Sequence, residues 1–483
     1  MTQPLTVSLH PQVKRYPERI VQFGGGNFLR AFVDWVVDVL NAETDFGGGI
    51  VIVKATPGVY DALDAQDCLF TTYLHGMQDG ELVEETRLIG AVSRTVYPYQ
   101  DFAAYLALAR GAEIRFIFSN TTEAGLEFSP DDRLGDEPPA TFPAKLTRFL
   151  YERYRHFGGT AESGCIIIPT ELIIDNATRL RECILEYAAL WELDAGFASW
   201  IEAHNVFCNT LVDRIVSGYP QADAPRLFAR LGYEDRLLAA GELYHSWIIE
   251  ADASLLREFP VDRARTPLNV RVVDDAAPYR TIKVRLLNGA HTAMVPLGIL
   301  LGLESVREAV EHEALAPFIE RLIFDEVIPS VTKVAPEELV AFANDVFDRF
   351  RNPHIHHRLL TIALNSSAKV RERILPSLLG YYDETGELPA RLVLAFAAFI
   401  GLYRGEWRGE PIALNDDPEV LSWFKTRWAG AESVEELVSA VLRERALWDR
   451  DLSALPGLAP MISGYLRKIE AGELHALLQR ASA

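Results

Sequence analysis

In the first half of the chain, short runs of β-branched and aromatic residues alternate with stretches whose apolar positions recur every three or four residues. Runs at 20–23, 49–53, 114–118 and 165–168 read as strands. Between the first two, Phe28, Phe32, Trp35, Val36 and Leu40 form one stripe and predict a helix over 28–40; further helices are predicted at 102–108 and 144–154. The polar, proline-containing stretch 129–143 reads as a long surface excursion. This alternation predicts an α/β fold, a doubly wound domain on a parallel sheet.

Beyond about residue 275 the β-branched runs thin out, and helical periodicity predicts helices at 287–301, 303–313, 336–350, 389–402, 418–428 and 434–444. Three of them open on proline, whose missing N–H costs nothing in a first helical turn. The expected organisation is an α/β domain over 1–275 followed by a mainly α-helical domain over 276–483. With 483 residues the chain exceeds what one hydrophobic core usually organises, which agrees with two domains. No fixed-period repeat suggests a solenoid.

A net charge of -21 repels nucleic acid and anionic membrane surfaces, so neither is an expected partner and any anionic ligand must be met by local cations. Cys68, Cys165, Cys183 and Cys208 show no C-x-x-C pairing, and three sit in apolar runs, which predicts reduced, buried thiols. The N-terminus lacks a basic segment followed by an apolar core, and no later run reaches roughly 18 uninterrupted apolar residues. A cytoplasmic protein that does not insert in membranes is expected.

The strand at 20–23 runs into Gly24-Gly25-Gly26-Asn27-Phe28 and then a helix, the arrangement that receives a dinucleotide pyrophosphate at a Rossmann-like turn. Phe23, Gly24, Gly25, Gly26, Asn27 and Phe28 are therefore expected at the cofactor. Leu29 stands where the usual fingerprint has its third glycine. The next strand ends in Lys54, where NAD-selective sites commonly carry an acid, and Asp61, Asp64 and Asp67 follow; this leaves NAD and NADP open. Asn120 and Thr121 follow the strand at 114–118, at a carboxyl end of the sheet, and are expected to line the nicotinamide-ribose side, with Thr122 and Glu123 in the same cluster.

Lys283-Val-Arg-Leu-Leu-Asn288-Gly-Ala-His291 places an amine, a carboxamide and an imidazole in one helical segment. At about 100° per residue, Asn288 lies about 140° and His291 about 80° around the helix from Lys283, so all three can lean into one cleft. Oxidising an alcohol needs a base for the hydroxyl proton, and a lysine serves if burial or a nearby cation lowers its pKa; Arg285 is the nearest cation in sequence. Asp213 beside Arg214 reads first as a structural ion pair. His354, His356 and His357 lack an accompanying acid at a ligand spacing, so no metal site is expected. Lys369, Arg371 and Arg373 form a basic patch able to neutralise a carboxylate, with a solvated helix face as the competing reading.

Taken together, these segments resemble the mannitol dehydrogenase family of polyol-specific long-chain dehydrogenases. The resemblance runs through the glycine turn Gly24 to Arg30, Gln66 to Phe70, Asn120 to Gly125, Phe207 to Arg214, the K-x4-N-x2-H spacing of Lys283, Asn288 and His291, and Arg349-Phe-Arg-Asn-Pro353. It implies a metal-independent, NAD-linked oxidoreductase in which Lys283 is the general acid/base, Asn288 and His291 hold the reacting oxygen and its neighbours, and Asp213 binds substrate. The phrases around Phe23, Ser119 and Leu287 are most similar to members that interconvert a keto-uronate and an aldonate, which implies a hexuronate or aldonate substrate. Its carboxylate would then be met by Lys369 or Arg373, with Arg349 and Arg371 as alternatives. Members acting on neutral polyols, and a nucleotide sensor without chemistry, are the competing readings. Mannitol dehydrogenases carry a second oxyanion asparagine where this chain has Leu172, so either Asn176 substitutes or one amide suffices. Nothing in the sequence sets an oligomeric state.

Overall fold

The computed structural model describes residues 3–78, 81–121, 125–353 and 357–482. The chain divides into two compact units, residues 1–75 with 83–276, and residues 76–82 with 277–483.

In the first unit, β1 (Glu18–Phe23), β2 (Gly49–Val53), β3 (Val92–Val96), β4 (Phe116–Ser119), β5 (Ile166–Pro169) and β6 (Val206–Phe207) form a parallel sheet in the order 3-2-1-4-5-6. This is the doubly wound order, in which the switch between β1 and β4 opens a crevice at the carboxyl ends of the strands. Because successive side chains point to opposite faces, Ile20, Ile50, Ile52, Phe116 and Phe118 feed one core while Val21, Phe23, Val51, Val53 and Ile117 feed the other. With both faces covered, these strands read as near-continuous apolar runs, and each fully buried side chain contributes about 1.5–3 kcal/mol of transfer free energy.

Two sequence expectations change here. The helix expected over 28–40 is two, Asn27–Ala31 and Val33–Glu43, broken at Phe32, whose φ and ψ are -127° and -75°. The Phe32 ring is anchored between Phe28 and Trp247, at centroid distances of 5.0 and 5.3 Å, and periodicity does not register that contact. The excursion at 129–143 is pinned to the body: the buried Asp132 carboxylate accepts from Thr141 N (3.2 Å), Thr141 Oγ1 (2.7 Å) and Tyr187 Oη (2.9 Å). No separate signal along the chain marks the three-stranded sheet of Asn209–Asp213, Ser246–Glu250 and Val270–Val273. Cys68, Cys165, Cys183 and Cys208 are all buried free thiols.

The second unit is mainly helical around its own core. Its central helix, Ala277–Leu301, has the length and hydropathy to cross a membrane, but 67% of its most apolar window is buried within the protein. Helices Pro336–Phe350, Ala390–Leu402, Pro418–Gly430 and Val434–Arg443 lie within a residue or two of the predicted spans. Periodicity does not anticipate three π-helical segments, Lys283–Asn288, Leu322–Val327 and Val370–Ile374. Such segments insert an extra residue into a turn and concentrate at functional sites.

Candidate active site

In the first unit the glycine turn leaves β1 at the switch point. Gly24 has φ +117°, and a Cβ there would stand 3.0 Å from Leu29 Cδ1, so the turn requires glycine. At Gly25 a Cβ would meet the Tyr60 ring at 3.1 Å. Gly24, Gly25 and Gly26 floor a cavity of about 520 Å³ that is also lined by Asn120 and Thr121, and by Thr56, Tyr60, Phe128 and Thr141. A glycine floor at a switch-point crevice fits a dinucleotide pyrophosphate.

Of the other expected cofactor residues, Phe23 is fully buried against Tyr105 and Phe142, so only its backbone can reach the cavity. Phe28 stacks on Phe32, and the Asn27 carboxamide accepts from Arg30 Nη2 at 2.5 Å; neither lines the cavity. The Tyr60 hydroxyl accepts from Gly25 N–H at 3.0 Å, and Lys54 Nζ lies over the Tyr60 ring at 4.7 Å while donating to Thr56 Oγ1 at 3.0 Å. Sequence reading missed Tyr60, because a lone tyrosine in the segment after β2 carries no motif.

The β4 end is gathered by Glu171, also unremarked in the sequence. Its buried carboxylate accepts from Thr121 N (2.9 Å), Thr121 Oγ1 (3.0 Å) and Ser119 Oγ (3.1 Å), while Asn120 Nδ2 donates to Thr170 O at 2.9 Å. Thr122, Glu123 and Ala124 lie outside the described residues. The Asn176 amide donates to Pro169 O (3.2 Å), Glu171 O (3.0 Å) and Thr210 Oγ1 (3.1 Å), which leaves no N–H for a substrate. Leu172 beside it is 64% exposed. Asp213 is half-buried at the end of its strand, and the adjacent Arg214 guanidinium is spent on Ala31 O, Leu243 O, Tyr244 O and His245 Nδ1.

In the second unit, Lys283 and Asn288 are the first and last residues of a π segment, both half-buried. In an i→i+5 ladder, residues five apart stand nearly in line, separated by about the 40° that separates i and i+4 in an α-helix. The two side chains therefore share a face, correcting the 140° expected from regular helix geometry. Arg285 is turned to Ser377 Oγ (2.5 Å) and Ser330 Oγ (2.8 Å), and burial pushes its guanidinium down to about 10.

His291 is 8% exposed, its ring 4.6 Å from that of Phe350 and 5.0 Å from that of His357, and its Nε2 has no hydrogen-bond partner. A buried polar atom left unpaired costs about 1–3 kcal/mol, so Nε2 points to a ligand. Burial holds the imidazole well below its ordinary pKa, and His357, Arg349, Arg373 and Lys369 add to this. The third π segment, Val370–Ile374, brings Arg373 to this centre by packing on the first: a Cβ at Gly289 would sit 3.6 Å from Arg373 O. Burial lowers the pKa of both Arg373 and Lys369, and Lys369 Nζ donates to Ile362 O at 2.8 Å. The basic patch of the sequence is thus divided, because Arg371 faces Asp449 (3.4 Å) and Glu372 (3.6 Å) instead. His354 and His356 lie outside the described residues. Among the described residues, no group of three or more His, Cys, Asp or Glu side chains is placed to hold a metal ion.

The profile of the mannitol dehydrogenase Rossmann domain matches residues 18–261, and that of the mannitol dehydrogenase C-terminal domain matches residues 275–470. An altronate oxidoreductase of Pectobacterium atrosepticum is 47% identical over 477 residues, covering 96% of this chain and 97% of that protein. One from Klebsiella pneumoniae is 48% identical over 461 residues, covering 94% and 95%. Among solved structures, Pseudomonas fluorescens mannitol 2-dehydrogenase in ternary complex with NAD and D-mannitol is 22% identical with a TM-score of 0.67, covering 99% of both chains. A substrate-free D-sorbitol dehydrogenase is also 22% identical, with a TM-score of 0.81, covering 99% of this chain and 100% of that one. At that identity the two structures speak for the fold.

Proposed function

We propose, from the premise that this chain belongs to the mannitol dehydrogenase family, that it interconverts D-tagaturonate and D-altronate with NAD, without a metal. It is an oxidoreductase acting on a CH–OH group. The observation that carries the acidic substrate is the centre around His291, where Arg349, Lys369 and Arg373 bring positive charge to an unpaired, buried Nε2. In a chain of net charge -21, such a concentration suits a carboxylate held by charge-assisted hydrogen bonds. The altronate oxidoreductases named above support the same reading.

The glycine turn with Asn120 and Thr121 is the proposed cofactor site; when bound there, NAD supplies the hydride acceptor. Lys283 takes the hydroxyl proton from altronate and returns it in the reverse direction. Asn288, on the same face, donates its amide to the oxygen as negative charge develops. His291, held neutral, engages the reacting oxygen or a neighbouring hydroxyl through Nε2. Lys369 and Arg373 hold the carboxylate, and Asp213 binds a substrate hydroxyl. With the Asn176 amide committed to Pro169, Glu171 and Thr210, Asn288 serves as the single oxyanion amide.

Following NADH loss with tagaturonate, fructuronate, fructose and xylulose tests the substrate. Tagaturonate is expected to exceed the others in kcat/KM by about tenfold or more, and no turnover of either uronate would overturn the assignment. An NADPH arm tests the cofactor at Lys54, and equal kcat/KM with NADPH would remove NAD as the preferred one. Dialysis against a chelator is expected to leave the rate unchanged, whereas a loss restored by zinc or manganese would overturn metal independence.

A further inference from the structure

Beneath the glycine turn lies a buried polar cluster with no counterpart in the chemistry above. Gln22, on β1, is fully buried, and its Nε2 donates to Gly24 O at 3.1 Å. Arg30 is 6% exposed; its Nε donates to Gly25 O at 3.2 Å, and its Nη1 donates to Leu237 O. Two side chains thus hold the two carbonyls of the turn that Gly24 and Gly25 supply. Behind them stands Asp34, in the Val33–Glu43 helix, with no solvent exposure. Three buried atoms here have no hydrogen-bond partner: both Asp34 carboxyl oxygens and Gln22 Oε1.

A carboxylate would leave all three atoms as orphaned acceptors with no solvent to serve them, a state that burial strongly disfavours. One proton would relieve the conflict, because a neutral Asp34 carries an O–H to offer the Gln22 amide that faces it, whose Nε2 donates to Gly24 O. We propose that Asp34 is a positioning residue, a neutral carboxylic acid that orients Gln22 and thereby keeps the Gly24 carbonyl off the dinucleotide site, so that cofactor affinity falls when Asp34 ionises. This rests on the proposal that the glycine turn receives a dinucleotide.

The charges facing Asp34 agree with that state. Burial raises its carboxyl to about 8, against the opposing pull of the Gln22 amide and Arg30, and with Asp38 adding to the rise. Cys68, a further titratable neighbour, is itself pushed up to about 11 by burial, and Asp235 and Tyr60 share the Arg30 charge with Asp34. Below its pKa Asp34 is neutral and the amide is locked. Above it the carboxylate attracts Gln22 Nε2 and the Arg30 guanidinium, drawing both from the turn carbonyls.

The test is NADH binding to the full chain, read by nucleotide fluorescence from pH 6.5 to 9.5. The wild type is expected to lose about tenfold in affinity as pH rises through about 8, as for one lost hydrogen bond. Asp34→Asn, which keeps a donor but cannot ionise, is expected to hold the neutral-pH affinity across the range. Asp34→Leu, with no donor, is expected to bind weakly at every pH. Infrared difference spectra of the wild type read the same group without a variant: a protonated-carboxyl stretch should vanish over the same range, and Gln22→Met should shift it. A wild type that binds no NADH at neutral pH overturns the dinucleotide reading and this inference with it. NADH bound with pH-independent affinity, or no protonated-carboxyl band, overturns the inference alone.

Discussion

Lys283→Ala is expected to lower kcat for keto-uronate reduction by about 100- to 10,000-fold, the range a positioned acid or base supplies, while NADH binding measured by fluorescence persists. Hydride delivery to a ketone carbon leaves an alkoxide, and that oxygen needs a proton in the same step. In the proposed mechanism Lys283 supplies that proton: the π segment stacks it one hydrogen-bonded turn from Asn288, an arrangement that would let the proton donor and the oxyanion amide address one oxygen. The loss should therefore appear in kcat more than in KM, because the interaction strengthens as the transition state forms. Small primary amines in the buffer should restore part of the lost turnover, since they refill the space with a protonatable nitrogen. A side chain that only packs the helix would not be rescued this way. Full activity in the variant would remove the lysine from the mechanism.

The fold was legible in the sequence where one element carries its own signal. The alternation of β1, β2, β4 and β5 with helices, and the glycines after Phe23, report the doubly wound sheet because strand period and turn chemistry are local, whereas β3 (Val92–Val96) and β6 (Val206–Phe207) went unread. Pro336–Phe350 is legible for the same reason, a proline start with a regular stripe. What depends on contacts between separate elements was not. The break at Phe32 comes from Trp247, more than 200 residues away in sequence. Tyr60 and Glu171 reach the glycine turn and the β4 end from other segments, with nothing in their own surroundings to mark them.

The second unit makes the same point about geometry. The spacing of Lys283, Asn288 and His291 was visible, but their angular relation was not, because the π ladder violates the regular rotation that sequence reasoning assumes. Likewise Arg285 is the cation nearest Lys283 in sequence, yet its guanidinium goes to Ser330 and Ser377, while Arg373, distant in sequence, acts on His291. Two π segments packed on one another bring this about, and each would read as an ordinary helix.

Arg373→Ala is expected to raise KM for tagaturonate about 100-fold, ~2.7 kcal/mol, which falls within the range for truncating one partner of a desolvated charge pair. A neutral ketose such as fructose should lose far less, so the ratio of kcat/KM for uronate over neutral ketose is the readout, and an equal loss for both would deny Arg373 the carboxylate. Arg373→Lys should recover part of the ratio, since it keeps the charge and loses the planar fork. A second readout separates charge from packing. Arg373 is one of the cations that hold His291 below its ordinary pKa, although burial is the larger cause. Removing it lets the imidazole rise toward 6.5 without reaching it, so His291 begins to protonate at a higher pH than in the wild type. In the proposed mechanism the neutral ring is the competent form, so the acid limb of kcat/KM is expected to move upward in pH in Arg373→Ala and to stay near its wild-type position in Arg373→Lys. A limb that does not move in the alanine variant would mean that Arg373 acts on the substrate without setting the charge state of His291.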